Sequence, residues 1–279
     1  MITSTSNEKI KYMEKLRKSA SFRREEGLFP VEGIRMVREI PKDRLAALYY
    51  TEKAYEKYGA EGCEIELVSD ACMKKMSDTD TPQGVLAAVR TVDYSLDDIL
   101  TRKTNLSDKT KNDKSVTAAV TQKENAYSTP FLLVLEKLQD PGNLGTIIRT
   151  AEAAGVTGIM ISRDSADIYN PKTIRSTMGA LFRMRIYISD DLVRDMAELK
   201  KKGIVIYAMH LDGEEFYDKD FRKPSAFLIG NEGNGLSDEL SSVADEKMRI
   251  PMLGKVESLN AAISASVVSY EVLRQRRGI

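Results

Sequence analysis

Residues 131–136, Phe-Leu-Leu-Val-Leu-Glu, hold a continuous apolar run up to the closing glutamate, without the polar alternation of a half-buried strand. A run of this kind suits a strand covered on both faces, and such strands belong to parallel sheets with crossover helices. The sequence that follows keeps that rhythm. A helix is expected over 142–154, with Leu144, Ile147, Ile148 and Ala151 on one face. A strand at Gly158 to Ser162 precedes a helix at Pro171 to Met178. A strand at Arg185 to Ile188 precedes a helix over 191–201 that ends at Gly203. Ile204 to Met209 and Ala226 to Ile229 read as strands, Leu236 to Ala244 as a helix and Lys247 to Ile250 as a short strand. A last helix spans about Ser258 to Arg276, with Leu259, Ile263, Val267, Tyr270 and Leu273 as its buried stripe. The fold class is α/β.

The N-terminal third repeats the alternation on a smaller scale. Residues 6–24 read as one basic surface helix carrying Ile10, Met13 and Leu16, and an apolar stretch from Phe29 to Ile40 stops at Pro41. Strands at Leu45 to Tyr50, Ile65 to Val68 and Val85 to Val89 alternate with helices at Glu52 to Tyr58 and Ser69 to Met76. The turn Thr79-Asp80-Thr81-Pro82-Gln83-Gly84 leads into the third strand. Residues 95–129 are rich in Lys, Asn, Thr, Ser and Asp and hold few large apolar side chains, so burial cannot offset the entropy of ordering them. The expected organisation is therefore a domain over 1–94, a flexible polar linker over 95–129 and a second domain over 130–279.

Lys plus Arg and Asp plus Glu each number 42, which excludes a globally basic field for nucleic acid and leaves only local patches. Residues 1–24 hold seven basic groups against Glu8 and Glu14, and Arg274, Arg276 and Arg277 close the chain. Both ends are candidate phosphate contacts. Cys63 and Cys72 have no zinc-ligand spacing, which points to reduced, buried thiols, a cytoplasmic setting and no metal. No run of about 18 apolar residues occurs, so no membrane span is expected.

Three segments carry candidate chemistry. In the first, 138–158, a strand runs through Asp140-Pro141-Gly142-Asn143-Leu144-Gly145 into a helix bearing Arg149. Glycines permit close backbone approach, and a helix start offers free N–H groups. In the second, 227–240, a strand ends at Gly230 and Asn231-Glu232-Gly233-Asn234-Gly235 follows, without the lysine of a phosphate-binding P-loop. In the third, 250–268, Ile250-Pro251-Met252 precedes Ser258-Leu259-Asn260 at a helix start, where capping is the plain alternative. Each alone has a plain structural reading, a strand–turn–helix joint in the first two and a helix cap in the third.

Together their order and spacing resemble the three motifs of the SpoU/TrmH family of RNA ribose methyltransferases. Asn143, Gly145 and Arg149 match the first motif, Gly230 to Gly233 the second, and Ile250 to Met252 with Ser258 to Asn260 the third. Glu32-Gly33 and the Thr81 to Gly84 turn look like that family's ribosomal-protein-like substrate-binding domain. The long linker departs from the pattern, as does Ala261, where many members carry Val.

The resemblance implies a trefoil-knotted catalytic domain and S-adenosyl-L-methionine as cofactor. It implies a homodimer through the C-terminal domain and structured RNA as substrate, rRNA before tRNA. Met209, His210, Gly230, Asn231, Gly233, Ile250, Met252 and Leu259 are the implied cofactor residues. Arg149, Asn143, Glu232, Ser258 and Asn260 are the implied catalytic group. Arg149 would act on the 2′-hydroxyl, either by lowering its pKa electrostatically or by taking part in proton removal, and the electrostatic role is favoured because a guanidinium stays protonated. His210, the only histidine, is a second candidate base that the resemblance does not require. The competing expectations are a non-catalytic RNA-binding relative and, weakly, an NTPase using the glycine-rich loop.

Overall fold

The computed structural model describes residues 1–59, 64–101 and 129–278. Cys63 and most of the polar stretch, 102–128, lie outside the described residues. The chain forms two compact units, Met1–Val92 with Asp167–Arg183, and Asp93–Ala166 with Met184–Ile279.

The first unit holds a four-stranded sheet of β1 (Leu28–Glu32), β2 (Leu45–Tyr50), β3 (Glu66–Leu67) and β4 (Val85–Arg90), ordered β1-β4-β2-β3. Pro30 lies on the edge strand β1, where a missing N–H breaks no inner ladder. The basic helix expected over 6–24 is two helices, α1 (Glu8–Lys18) and α2 (Ala20–Glu26). Ser19 leaves the helical region at φ −119°, and its side chain accepts from Phe22 N, so one residue ends α1 and caps α2. Ile10, Met13 and Leu16 of α1 pack with Cys72, Met73 and Met76 of α5 (Asp70–Met76). Two further short helices, α3 (Ile34–Val37) and α4 (Glu52–Tyr58), complete the N-terminal part.

Residues 167–183, which the sequence pattern places in the second domain, cluster with this unit. Buried Arg23 pairs with Asp167 at 2.5 Å and donates to the Leu16 and Arg17 carbonyls, and Phe29 stacks on Tyr169 at 4.4 Å. The segment's helix is α7 (Pro171–Thr177), whereas the preceding helix, α6 (Pro141–Ala154), belongs to the second unit.

The second unit holds six parallel strands: β5 (Phe131–Leu135), β6 (Gly158–Ser162), β7 (Ile186–Ser189), β8 (Val205–Glu215), β9 (Ser225–Ile229) and β10 (Glu246–Arg249). Their order is β10-β8-β9-β5-β6-β7. The chain winds outward from β5 through β6 to β7, and the remaining strands lie on the other side of β5. The switch point is therefore between β5 and β9, and in open α/β sheets ligands bind beyond the carboxyl ends of strands at such a point. All five residues of β5 are buried, as its unbroken apolar run requires. One core face joins Leu132, Val134 and Leu228 to Met196 and Leu199 of α8 (Leu192–Lys201) and Leu240 of α9 (Asp238–Ser242).

Three features of this unit go beyond the hydropathy pattern. Within the stretch expected as a polar linker from 95, Ile99 is fully buried in the core beside Leu132 and Met160. Gly158 makes room for it: a Cβ there would stand 2.4 Å from that of Ile99. The last helix, α10 (Ala261–Arg277), packs along α6 with a different face from the expected stripe. Ala261, Ala262, Ala265, Val268 and Val272 are buried, whereas Ile263 is 50% and Tyr270 53% exposed. Small side chains let two helices approach closely, so α10 buries its alanines and presents its bulkier apolar residues outward. Strand β8 also runs to Glu215, past the expected end at Met209. Gly213 permits this, since a Cβ would meet the Met248 backbone at 2.3 Å.

Candidate active site

Beyond the carboxyl ends of β9 and β10, against the outer half of β8, lies a cavity of ≈ 440 Å³, within the ordinary range for small-molecule sites. Met209, His210, Gly230, Asn231, Gly233, Ile250, Met252 and Leu259 all line it. Glu232 and Ser258 line it too, with Leu211, Asp212 and Glu257, which motif reasoning passed over. Leu211 and Asp212 belong to the part of β8 that runs beyond its apolar core, where hydropathy gives no strand signal.

The wall after β9 is a closed loop. Asn231 and Gly235 exchange backbone hydrogen bonds at 3.0 Å, and Asn231 Oδ1 accepts from Gly233 N at 2.8 Å and Asn234 N at 3.1 Å. Gly230 is required by space: a Cβ would lie 2.1 Å from the Gly235 carbonyl carbon and 2.2 Å from Leu236 N.

Glu232 turns from this loop toward the joint after β5. Its carboxylate accepts from Gln139 N and Asp140 N, both at 3.2 Å, and from Asn143 Nδ2 at 3.1 Å. Burial pushes this carboxyl up, but the hydrogen bonds from Asn143 and from the N–H groups of Gln139, Glu232 and Asp140 together outweigh it. The group sits below the ordinary carboxylate range. Asp140 caps α6 by accepting from Asn143 N at 2.8 Å. Asn143 Oδ1 in turn accepts from Asn260 Nδ2 at 3.1 Å, while Asn260 Oδ1 caps α10 through Ala262 N at 2.8 Å. Glu232, Asn143 and Asn260, one from each motif, thus form a single hydrogen-bonded chain.

Arg149 stands apart from that chain. It is exposed, about 9 Å along α6 from Asn143 at 1.5 Å per residue, and does not line the cavity. Its neighbour Thr150 accepts from Ser266 of α10 at 3.4 Å. His210 accepts at Nδ1 from Asp212 N at 3.2 Å.

The terminal basic patches are smaller than composition suggests. Lys9, Arg17, Lys18 and Arg23 pair with Glu66, Asp78, Glu14 and Asp167. Arg274 pairs with Glu271 at 2.7 Å, and Arg276 is turned inward onto backbone carbonyls, so neither is a free phosphate contact. Among the described residues no group of three or more His, Cys, Asp or Glu is placed to hold a metal ion, and no helix is long and apolar enough to cross a membrane.

Comparison with known proteins gives this geometry a lineage. The sequence model of the SpoU rRNA Methylase family matches residues 130–270, and that of the MRM3-like substrate binding domain matches 7–87. The chain is 27% identical over 275 residues to the 23S rRNA (guanosine(2553)-2′-O)-methyltransferase RlmP of Bacillus subtilis, covering 97% of this chain and 98% of that protein. It is 35% identical over 157 residues to the putative TrmH family tRNA/rRNA methyltransferase YacO of the same organism; that match spans 56% of this chain and 63% of the relative. The SpoU methyltransferase AviRb of Streptomyces viridochromogenes, solved in complex with AdoMet, superposes with a TM-score of 0.77 at 26% identity, covering 97% of this chain and 98% of that one. A motif chain closed in space by Glu232, Asn143 and Asn260, and a family match over half the sequence, lead to one conclusion: this chain belongs to the SpoU rRNA methylase family.

Proposed function

We propose that this protein transfers a methyl group from S-adenosyl-L-methionine to a ribose 2′-hydroxyl of structured RNA, with large-subunit rRNA as the favoured substrate. The observation that carries the proposal is the cavity at the ends of β9 and β10 and along outer β8, lined by all eight cofactor candidates and joined through Glu232 to Asn143 and Asn260. The lining suits a cationic cofactor: Asp212, Glu232 and Glu257 face it against the single guanidinium of Arg249. When bound, the cofactor would supply a methyl group on a sulfonium, whose sulfur leaves as a neutral thioether without protonation while the 2′-hydroxyl proton passes to solvent.

The protein's remaining task is alignment and stabilisation of the developing alkoxide. Backbone groups of the Gly230 to Leu236 loop and of the Ile250 and Leu259 segments hold the cofactor. Asn143, Ser258 and Asn260 position the ribose, with Glu232 fixing Asn143. Arg149 stabilises the alkoxide as a permanent cation. Because Arg149 does not line its own cavity, and Ile263 and Tyr270 leave an apolar face on α10 beside α6, the functional unit is a homodimer in which Arg149 serves the partner's cavity. The knotted threading of the family fold, a cytoplasmic setting and RNA capture by the N-terminal domain belong to the same proposal. Support for rRNA over tRNA comes from the name of the relative that aligns over nearly the whole chain.

The test is labelled methyl transfer to RNA from a strain lacking the protein, with the modified ribose mapped. Arg149→Ala should bind cofactor normally and lose about 100-fold or more of the transfer rate. Full activity in Arg149→Ala would overturn the role of that residue. Absence of cofactor binding by the native protein in a titration would leave a non-catalytic RNA-binding relative instead.

A further inference from the structure

Glu136 follows the last residue of β5 and is buried, 7% exposed. Its N–H donates to the Ile229 carbonyl at 2.9 Å, so it sits beside the end of β9, one residue before Gly230. Its carboxylate takes both donors of Ser237: Oε2 accepts from the N–H at 2.7 Å and Oε1 from the hydroxyl at 2.6 Å. No ion pair compensates this carboxylate among the described residues. Burying a carboxylate without a counter-charge is costly, and an apolar residue would end a buried strand more stably.

The next residue shows a second cost in the same place. Lys137 adopts φ 50°, a left-handed conformation unusual for a side chain of its size. That conformation accompanies a carbonyl that accepts from Asn231 Nδ2 at 2.8 Å. Adjacent residues of one strand end therefore grip the 231–237 loop at both of its ends, Asn231 through Lys137 and Ser237 through Glu136. Between those points Asn231 to Leu236 form one wall of the cavity.

We propose that Glu136 is a positioning residue for the methyl-transfer reaction: with the Lys137 carbonyl it clamps the loop after β9 in the shape that receives the cofactor. Neither residue lines the cavity, so the clamp acts through Asn231 and Ser237. The inference rests on the assignment of that cavity to S-adenosyl-L-methionine.

Glu136→Leu keeps the volume and removes both acceptors. It should raise the KM for S-adenosyl-L-methionine about tenfold while the KM for RNA changes less than about twofold. Glu136→Gln retains one acceptor and lets the Ser237 hydroxyl reverse its role, so it should recover most of the loss. Ser237→Ala keeps the N–H bond and should give a smaller effect in the same direction. Amide exchange at Asn231 and Gly235, whose N–H groups close the loop, should quicken in Glu136→Leu. A cofactor KM within about twofold of native in a folded Glu136→Leu protein, or equal rises in both KM values, would overturn the clamp. Failure of the native protein to bind the cofactor would overturn the cavity assignment alone, because loop exchange in Glu136→Leu still tests the clamp. If Glu136→Leu does not fold, unchanged loop exchange and cofactor KM in Ser237→Ala would overturn it.

Discussion

Asn143 Nδ2 lies 3.1 Å from Glu232 Oε1, which joins the first turn of α6 to the loop after β9. The Glu232 carboxylate accepts three hydrogen bonds there, two of them from backbone N–H groups. A glutamine cannot accept all three in that geometry, because one of its two terminal atoms is a donor. Glu232→Gln should lower the methyl-transfer rate about tenfold or more with the protein still folded. Single-turnover transfer with labelled cofactor measures the change, and a native rate would exclude a working role for the carboxylate.

The same group sets a pH expectation. Its folded pKa lies below the ordinary value of 4.5. For a carboxyl lowered by folding, the stabilisation is complete above the unfolded value and is lost as pH falls through the folded one. The order of the 231–235 loop should therefore hold through the neutral range and weaken only below pH 4.5. Glu232→Gln should abolish that acid-dependent step, which loop amide exchange or cofactor affinity across an acid titration would reveal.

Gly230→Ala tests the loop by space rather than charge. The added Cβ would sit 2.1–2.3 Å from backbone atoms of Gly235 and Leu236, and no side-chain rotation can relieve that overlap. The loop must move, at a cost of about 2 kcal/mol or more. Cofactor titration should show a loss of affinity of at least about tenfold, with thermal unfolding lowered modestly. Unchanged affinity would mean that this wall does not shape the site.

Much of the second unit is legible from hydropathy. The unbroken 131–135 run, the Gly158–Ser162 strand and the 192–201 helix follow from apolar periodicity and capping residues, because burial on one or two faces leaves a direct imprint on residue type. Glycines and helix-capping side chains at strand ends mark the three joints, while the choice of functional residues within them comes from the resemblance to the family. Helix α10 is apolar on two sides, and periodicity alone cannot say which side meets α6. Ile99 was hidden inside a polar stretch, where one buried side chain leaves no pattern. Glu136 falls inside the stretch read as a buried strand, but nothing in the local sequence names a partner for its carboxylate. Here it is the buried partner of a serine 101 residues away.

Arg276 gives a stability test of the chain's end. Its guanidinium donates to the carbonyls of Thr129 at 2.7 Å, Pro130 at 3.0 Å, Phe221 at 3.1 Å and Lys223 at 2.8 Å, and lies 5.4 Å from the Phe131 ring centre. Burial pushes its pKa down to about 10, still far above neutrality, so the charge and all its donors persist. Arg276→Ala strands several carbonyls and should cost about 2–4 kcal/mol in urea unfolding. Loss of less than about 0.5 kcal/mol would show that water replaces the guanidinium at little cost.

The position of Arg149 outside its own cavity leads to a mixing experiment. If Arg149 serves the partner's cavity, an Arg149→Ala chain still has an intact cavity, and a Glu232→Gln chain still has an intact arginine. Random pairing makes half of the dimers mixed, and one of the two sites in each mixed dimer is complete. The mixture should then recover about a quarter of native activity although each parent is impaired. Recovery requires that dimers exchange, and Ile263→Asp, which charges the exposed face of α10, should abolish both dimerisation in sedimentation and recovery on mixing. A mixture no more active than its parents, with mixed dimers demonstrated by a tagged chain, would place Arg149 in the service of its own subunit.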